Sequence, residues 1–257
     1  MLEFEDQMGN LVKLPQLPKR IVSLVPSQTD LLYYFGLRNK IVGQTLFCIK
    51  PEKEFVKATK VGGTKKLNLE KIRELKPDLI IGNKEENEKS QIEELQKEFP
   101  VWVSDINSIP EALDMIVKLG ILVGKGEKAI KLEHDIRKGL GQLKQVNKTA
   151  LYLIWQEPFM AVGHNTFIHD VMQQAGLINV LNADESRYPE LSLERIKELN
   201  PEILLLSSEP FPFKDKHKEE LRDQLPGIQI KLVDGEVFSW YGNKMVEIES
   251  YFNLLKL

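Results

Sequence analysis

Side chains suited to metal or nucleophilic chemistry are few and scattered along this sequence. Cys48 is the single cysteine, so it forms no intrachain disulfide and belongs to no zinc-binding pair. No Gly-x-Ser-x-Gly elbow and no His-Glu-x-x-His motif occurs. We therefore expect no bare transition-metal site, and we expect Cys48 to be a small wall residue or a buried one rather than a nucleophile. The four histidines, none of them at an i, i+4 helical spacing, are His134, His164, His169 and His217.

An enzymatic alternative needs an acid–base pair, and the sequence offers Glu85 and Glu209 for that role. Solvated loop carboxylates are the simpler interpretation of both residues. The sequence accordingly predicts a binding protein with no catalytic residues and no intrinsic cofactor. A carrier of bare zinc or manganese is a third hypothesis, which the placement of the histidines disfavours.

Composition and charge exclude several classes of partner. Of the 257 residues, 42% are hydrophobic and 28% are charged, and the net charge of −3 is not gathered into blocks. This pattern is ordinary for a globular protein and favours neither nucleic acid nor an anionic membrane as a partner. No run of about 18 apolar residues occurs, which argues against membrane insertion. We expect a monomer that binds a small molecule.

The first residues, Met1 to Asp6, contain no basic region followed by an apolar stretch. As written, the chain therefore shows no secretory signal, and a cytoplasmic location is expected. If a signal was removed, the expected location is the periplasm or the cell surface.

Short apolar runs rich in β-branched residues alternate with helix-like segments along most of the chain. The runs are nearly continuous, as in strands that are covered on both faces, and the alternation predicts parallel sheets built from βαβ units. A long helical region at 109–147 opens with the capping box Ser108-Ile109-Pro110-Glu111 and is interrupted at Gly124-Lys125-Gly126. The predicted strands lie at 21–25, 40–43, 79–81, 101–103, 151–154, 203–206 and 230–233.

An internal repeat is the strongest organisational signal. The segment NLEKIRELKPDLII at 68–81 returns without gaps as SLERIKELNPEILL at 192–205. Two similar α/β lobes facing each other would explain this match, whereas the simpler interpretation is that helix–Pro–Asp–strand is a common connection. We predict two Rossmann-like lobes at 1–108 and 148–257, divided by the helical region at 109–147, with a ligand cleft between the lobes.

The loops after the predicted strands supply the candidate ligand-binding residues, because ligands of open parallel sheets bind beyond the carboxyl ends of the strands. Gly62-Gly63-Thr64-Lys65 lacks the P-loop spacing, so a tight turn is as good an interpretation as ligand contact. In the first half the candidates are Pro26, Ser27, Gln28, Phe47, Cys48, Thr64, Lys65, Asn83, Lys84 and Glu85. In the second half they are Trp155, Ser207, Ser208, Glu209, Ser239, Trp240 and Tyr241.

Aromatic residues are unusual in such loops, where polar residues are the rule. Exposed rings at Trp155, Trp240 and Tyr241 would suit a planar or bulky ligand. The alternative is that these rings only pack one loop against another.

With these features, the chain resembles the class III substrate-binding proteins of ABC transporters, which capture vitamin B12, ferric siderophores and haem. The resemblance runs from about Arg20 to the C-terminus and is strongest in RIVSLVPSQTDLL at 20–32 and in NLEKIRELKPDLII at 68–81. Both segments look most like the vitamin B12-binding branch. The resemblance implies two α/β lobes joined by one rigid helix, which fits Pro110 to Val146, and a stiff cleft with small opening motions.

Departures from the vitamin B12-binding branch leave the ligand open. Two of its cleft tryptophans are replaced here, by Thr64 and Asn83, whereas Phe47 keeps an aromatic and Trp240-Tyr241 fall in its aromatic last loop. The resemblance therefore implies a cobalamin-like corrinoid or a related metal chelate such as a ferric siderophore. An intracellular binding module, or an enzyme acting on a small-molecule cofactor in the same cleft, is the alternative.

The resemblance also implies a permease partner. Family members dock through one acidic residue on each lobe, and the matching residues here are Glu70 and Glu194, which are equivalent in the repeat. Both lie near predicted helix N-termini, where a carboxylate is favourable in any case.

Overall fold

The computed structural model describes residues 1–52, 57–255 and 257, and the chain divides into two compact units. Each unit contains its own sheet with helices on its faces, which confirms the predicted pair of α/β lobes. Unit 1 is Met1–Asp105, Pro110–His134 and Tyr241–Asn243, and unit 2 is Ile106–Ile109, Asp135–Trp240 and Lys244–Leu257.

Unit 1 begins with an antiparallel hairpin and continues as a parallel sheet in the order β5-β4-β3-β6-β7. The hairpin strands are β1 (Leu2–Glu5) and β2 (Leu11–Leu14). The sheet strands are β3 (Ile21–Ser23), β4 (Ile41–Gln44), β5 (Thr59–Lys60), β6 (Leu79–Asn83) and β7 (Val101–Ser104). The helices between them are α1 (Pro26–Tyr34), α2 (Leu69–Leu75) and α3 (Lys89–Gln96). The order reverses direction at β3, so the loops after β3 and β6 flank the switch point where α/β sheets bind ligands.

The expected single connecting helix is instead two helices, α4 (Ile109–Leu122) and α5 (Gly126–Leu140). Gly124 separates them with φ of +74°, a left-handed conformation in which a side chain would also meet Leu17. Gly120 allows the two helices to pack closely, because a Cβ at this position would collide with Ala129. None of the helices in the described part of the chain is both long and apolar enough to cross a membrane.

Unit 2 holds a mixed sheet in the order β11-β9-β8-β12-β13, with β10 also paired to β8. Its strands are β8 (Lys148–Trp155), β9 (Phe159–Ala161), β10 (Leu177–Asn179), β11 (Glu190–Leu191), β12 (Ile203–Ser207) and β13 (Gln229–Val233). Its helices are α6 (Phe167–Gln174), α7 (Leu193–Leu199), α8 (Asp215–Gln224), α9 (Gly235–Ser239) and α10 (Ile248–Leu255), with a 3-10 turn at Asn243–Glu247. The antiparallel edge formed by β9 and β11 was not predicted, since strands of three and two residues are too short to show a pattern.

The nearly continuous apolar runs are buried on both faces, as the sequence predicts. All five residues of β6 and all five of β12 are buried. In unit 1 the core includes Val22, Ile80 and Val103, and in unit 2 it includes Leu151 and Leu204. Burial of these side chains is the main stabilising contribution to each sheet.

The repeat is confirmed in atomic detail by the matching boundaries of α2 with α7 and of β6 with β12. The N-caps Asn68 and Ser192 each accept a hydrogen bond from the backbone N–H three residues later. The C-caps Lys76 and Asn200 both adopt the left-handed conformation, with φ of 45° and 44°. The same local sequence therefore ends each helix at the same point and aims the next strand into its sheet.

An acidic residue at the same repeat position ties each of these strands to its central neighbour. Asp78 accepts backbone hydrogen bonds from Lys19 and Arg20 at 2.8 Å each, immediately before β3. Glu202 accepts from the backbone N–H of Thr149 at 2.8 Å and from its hydroxyl at 3.0 Å, at the start of β8. These bonds lower the pKa of Glu202. In each unit, the carboxylate just before β6 or β12 therefore helps to set the register between that strand and its central neighbour, β3 or β8.

The left-handed C-caps generate a stability prediction. We expect Lys76→Gly to raise the free energy of unfolding by about 1 kcal/mol, because a left-handed conformation costs a side-chain-bearing residue roughly 1–2 kcal/mol and glycine recovers part of that cost. Asn200→Gly should change the free energy of unfolding by only about a few tenths of a kcal/mol, because asparagine already tolerates the left-handed conformation.

Urea denaturation of both variants measures these changes. The control is Lys97→Gly, since Lys97 ends α3 in the right-handed helical conformation with φ of −69°. This change should destabilise the protein by roughly 0.5–1 kcal/mol. A loss of stability in Lys76→Gly as large as that in Lys97→Gly would contradict the prediction.

Candidate functional site

In unit 1, buried amide side chains join the loops at the carboxyl ends of three strands. Gln28, in the first turn of α1, donates to the Ser104 hydroxyl at 2.5 Å. Asn83, the last residue of β6, donates to the same hydroxyl at 3.0 Å and accepts from the backbone N–H groups of Glu85 and Glu86 at 2.8 and 3.0 Å. Gln28 and Asn83 are buried, so in this structure their side chains hold the loops, and their contact with a ligand stays a prediction.

Asn87 is a further organising residue of this region that sequence reasoning passed over. Its side-chain oxygen accepts from the Asn83 backbone at 2.9 Å, and its amide donates to the carbonyls of Leu24 and Thr64 at 3.2 Å each. One buried side chain thereby connects the loops after β3, β5 and β6. Its position within the polar loop 83–87 was visible in the sequence, but its role depends on groups that are distant along the chain.

Cys48 is fully buried, so its side chain does not line an accessible surface. Its sulfur lies 3.1 Å from the hydroxyls of both Thr29 and Thr45, and burial raises the pKa of the thiol. Its carbonyl accepts from the side chains of Gln44 and Lys60. Of the two predicted positions for Cys48, a wall residue or a buried one, the structure shows the buried one. A thiol with a raised pKa is a poor nucleophile.

The buried base around Cys48 supports an exposed apolar tip. Phe47 is 59% exposed, and Leu46 and Ile49 beside it are exposed as well. Gly63 lies under the ring, because a Cβ there would come within 3.2 Å of Phe47. Phe47 is thus an aromatic side chain that unit 1 presents on a carboxyl-end loop.

The other candidates of unit 1 occupy the rim of these loops. The Lys65 ammonium donates to the Glu85 carbonyl at 2.5 Å, and that of Lys84 pairs with the Asp105 carboxylate at 2.6 Å. Lys65, Lys84 and Glu85 are exposed, so they can reach a ligand. Pro26 and Thr64 are half-buried, and Ser27 is buried within the first turn of α1.

In unit 2, Trp155 stands at the end of β8 with 40% of its surface exposed. Phe211 packs against it edge-on, with 5.7 Å between the ring centroids. Phe213 and His217 continue the cluster behind Phe211 at 4.8 and 5.3 Å. The indole therefore packs against Phe211 and keeps part of its surface exposed to solvent.

The expected exposure of Trp240 and Tyr241 is wrong, since each is only 8% exposed. Trp240 ends α9, where its indole N–H donates to the Glu209 carboxylate at 3.1 Å, and the neighbouring Ser239 hydroxyl donates to the same oxygen at 2.7 Å. The Glu209 carboxylate thus gives the indole N–H a hydrogen-bond partner within the protein, which stabilises the buried position of the ring. For these two rings the packing alternative describes the structure.

The loop after β12 is held from below by hydroxyl groups. Ser207 is buried, accepts from the Tyr152 hydroxyl at 3.1 Å and donates to the Glu209 carbonyl at 2.6 Å. Ser208 is exposed, and its hydroxyl accepts from the Gly235 backbone at 2.9 Å. Ser207 lies at the repeat position of Asn83, so both units lock the end of the same strand with a buried polar side chain.

Metal binding finds little support among the histidines. Within residues 1–52, 57–255 and 257, no cluster of three or more His, Cys, Asp or Glu side chains could hold a metal ion. His164 and His169 do meet, with 4.2 Å between ring centroids. His164 donates through Nε2 to the Leu181 carbonyl at 3.0 Å, and His169 Nδ1 accepts from the Asn179 amide at 3.3 Å. The His169 ring, which accepts a hydrogen bond, is neutral, and both rings form contacts that hold unit 2 together.

Comparison with known proteins gives concordant results. The periplasmic binding protein family profile matches residues 21–229, which is most of the chain. A vitamin B12-binding protein of Vibrio cholerae is 26% identical over 204 residues, covering 77% of this chain and 74% of that protein.

Two solved structures share the fold. The catecholate-siderophore binding protein of Vibrio cholerae superposes with a TM-score of 0.81 at 18% identity, covering 98% of this chain and 99% of that one. A haem-binding protein of Pseudomonas aeruginosa superposes with a TM-score of 0.77 at 20% identity, covering 93% of this chain and 95% of that one.

The histidine pair generates a pH prediction. Burial, and then the neighbouring His164, lower the pKa of His169. Below about pH 6.5, the ordinary histidine pKa, the unfolded chain takes up a proton that the folded protein refuses. Stability should therefore fall as the pH drops through this range, and His169→Gln should flatten the decline. Urea midpoints between pH 5 and 8 measure it.

His134→Gln is the control for this experiment, because His134 is an exposed helical histidine. It should leave the pH dependence of the wild type unchanged. Identical curves for wild type and His169→Gln would show that another group causes the decline.

Proposed function

Because this chain belongs to the periplasmic binding protein family, we propose that it captures a corrinoid or a related metal chelate for an ABC transporter. Members of this family are ligand carriers of ABC transport and not enzymes, and the chain is one of them. Its relatives and structural neighbours include binders of vitamin B12, haem and catecholate siderophores. These ligands share a large framework around a metal with polar groups at the periphery.

Two exposed aromatic rings, each at the carboxyl-end edge of its own unit's sheet, are the observation that carries this proposal. Phe47 rests on Gly63 after β4, and Trp155 is braced by Phe211 at the end of β8. Each ring is exposed to solvent, and stacking on a chelate framework is worth roughly 1 kcal/mol per ring beyond area burial. The exposed Lys65, Lys84 and Ser208 offer hydrogen bonds to the ligand periphery.

Titration of the purified protein with cyanocobalamin, cobinamide, haemin and a ferric catecholate tests the ligand class, with absorbance and tryptophan fluorescence followed together. We expect saturable one-to-one binding of a corrinoid with quenching of Trp155. Tighter binding of haemin or of the ferric chelate would replace the corrinoid by that class. No binding of any of the four at micromolar concentrations would contradict the proposal.

Variants locate the site. Trp155→Ala and Phe47→Ala should each weaken the ligand that binds by about fivefold, which corresponds to roughly 1 kcal/mol of lost stacking. Ile178→Ala is the control, because Ile178 is a comparably exposed apolar side chain at 58% that lies in β10, near the amino end of β8. Equal affinities of all three variants and the wild type would place the ligand elsewhere.

We further propose that Glu70 and Glu194 contact the permease. They occupy equivalent positions in the first turns of α2 and α7, and both are exposed. The Glu70 carboxylate pairs with Arg73 at 2.6 Å, but 80% of its side-chain surface is open to solvent, so this pair does not prevent docking. Matched carboxylates, one in each unit, suit a transporter with two equivalent basic surfaces.

Stimulation of ATP hydrolysis by the reconstituted cognate permease tests this role. We expect the double variant Glu70→Gln, Glu194→Gln to reduce this stimulation about tenfold or more, because charges at the rim of an interface steer the association of the two proteins. Ligand affinity should stay unchanged, because neither carboxylate is among the proposed ligand-binding residues. The control is Glu74→Gln with Glu198→Gln, one turn further along the same two helices and also exposed. Equal losses in both double variants would point to a general charge effect.

A further inference from the structure

Hydrogen bonds around Glu209 join the loop after β12 to helix α9. Ser239 and Trp240 donate to the carboxylate from the end of α9, and Gly235 donates to Ser208 from its beginning. Gly235 has no room for a side chain, because a Cβ there would come within 2.5 Å of both Glu209 Cγ and the Ser207 hydroxyl. The carboxylate is therefore held in one orientation by packing and by hydrogen bonds.

Both side-chain hydrogen bonds of Glu209 fall on one oxygen. The Ser239 hydroxyl and the Trp240 indole donate to Oε1, at 2.7 and 3.1 Å. Within the described part of the chain, no hydrogen-bond donor reaches Oε2. Glu209 is only half-buried, so Oε2 is the oxygen left for solvent or for a ligand. A carboxylate oxygen fixed in this way is an acceptor for an N–H or O–H group.

The surroundings of Glu209 are acidic. Burial, and then the neighbouring Glu236 and Asp234 at the start of α9, raise the pKa of the Glu209 carboxyl. Lys244 pairs with Glu236 at 3.9 Å and with Glu247 at 2.8 Å. The other titratable groups nearby are the hydroxyls of Tyr152 and Tyr251, whose pKa values burial raises, so both stay neutral at pH 7. A second negative charge placed here would be repelled.

From this geometry we propose that Glu209 determines ligand specificity, with Oε2 accepting a hydrogen bond from a carboxamide, hydroxyl or ammonium group and disfavouring ligands that place a carboxylate there. This inference rests on the proposed function and goes further, because it separates chelates by their peripheral groups. Corrinoids carry carboxamide side chains, whereas haem carries two propionates. Glu209 therefore favours the corrinoid class or a siderophore with hydrogen-bond donors.

Ligand pairs that differ only in the peripheral group test the assignment. One pair is cyanocobalamin and its monocarboxylic acids, in which one amide has become a carboxylate, and the other is haemin and its diamide. At pH 7 the wild type should bind the amide of a pair about tenfold more tightly than the acid, as expected for a hydrogen bond to a charged group together with charge repulsion. Glu209→Gln should bring the ratio close to one, because its amide nitrogen donates to a carboxylate.

Glu219→Gln is the control, since Glu219 is an exposed carboxylate of the same unit on α8. It should keep the wild-type ratio. If Glu209→Gln does not fold, the wild type alone still provides the test. Its preference for the amide should diminish as the pH falls below the raised pKa of Glu209, because the protonated carboxyl no longer repels an acid.

The outcomes separate this inference from the proposed function. Binding of a chelate with equal affinity for amide and acid, or a preference that survives in Glu209→Gln, would overturn the role of Glu209 and leave the carrier function intact. Binding of the haem pair alone would overturn the corrinoid proposal, and the ratio of diamide to haemin would then decide the role of Glu209. No binding of either pair would overturn the role of Glu209 and the corrinoid class, and the carrier function would then stand only if the ferric catecholate binds.

Discussion

Pairing of the backbone along the central strands β3 and β8 is the constraint on which each unit depends. Each strand lies between neighbours on both edges and is largely buried, so an unpaired N–H or C=O group would cost free energy that no solvent recovers. The pairs β3–β6 and β8–β12 start in register with the help of Asp78 and Glu202. One carboxylate at the same repeat position in each unit therefore aligns the central strand with its neighbour.

Correct register brings the carboxyl ends of neighbouring strands together, and each unit then secures its loops with different chemistry. Unit 1 uses the amides of Gln28, Asn83 and Asn87, which have donors and acceptors enough to join loops distant in sequence. Unit 2 uses the Ser207 hydroxyl and the Glu209 carboxylate. An amide both donates and accepts and so can join two loops, whereas a carboxylate has only acceptors, and Glu209 leaves one oxygen for an outside donor.

Loop side chains whose burial the sequence did not predict are held by residues that lie far away along the chain. Trp240 was expected to be exposed because it follows a strand, but a short helix intervenes and Glu209 accepts its indole N–H. Cys48 and Asn83 also follow strands, and both are turned inward by partners at distant sequence positions. Burial was one of the two predicted positions for Cys48, and ligand contact by Asn83 stays a prediction. The split between α4 and α5 at Gly124 was signalled locally, because a left-handed turn favours glycine.

The sequence by itself determined the architecture: two α/β units, their seven principal strands and the repeated helix–strand segment all follow from hydrophobic period, caps and spacing. These features depend on interactions within a few residues of one another or on burial, and both leave patterns in the chain. Only the tertiary structure decided which loop side chains face solvent. Phe47 and Trp155 are exposed whereas Trp240 and Tyr241 are buried, because the orientation of a loop side chain depends on polar and apolar partners that the fold brings from remote positions.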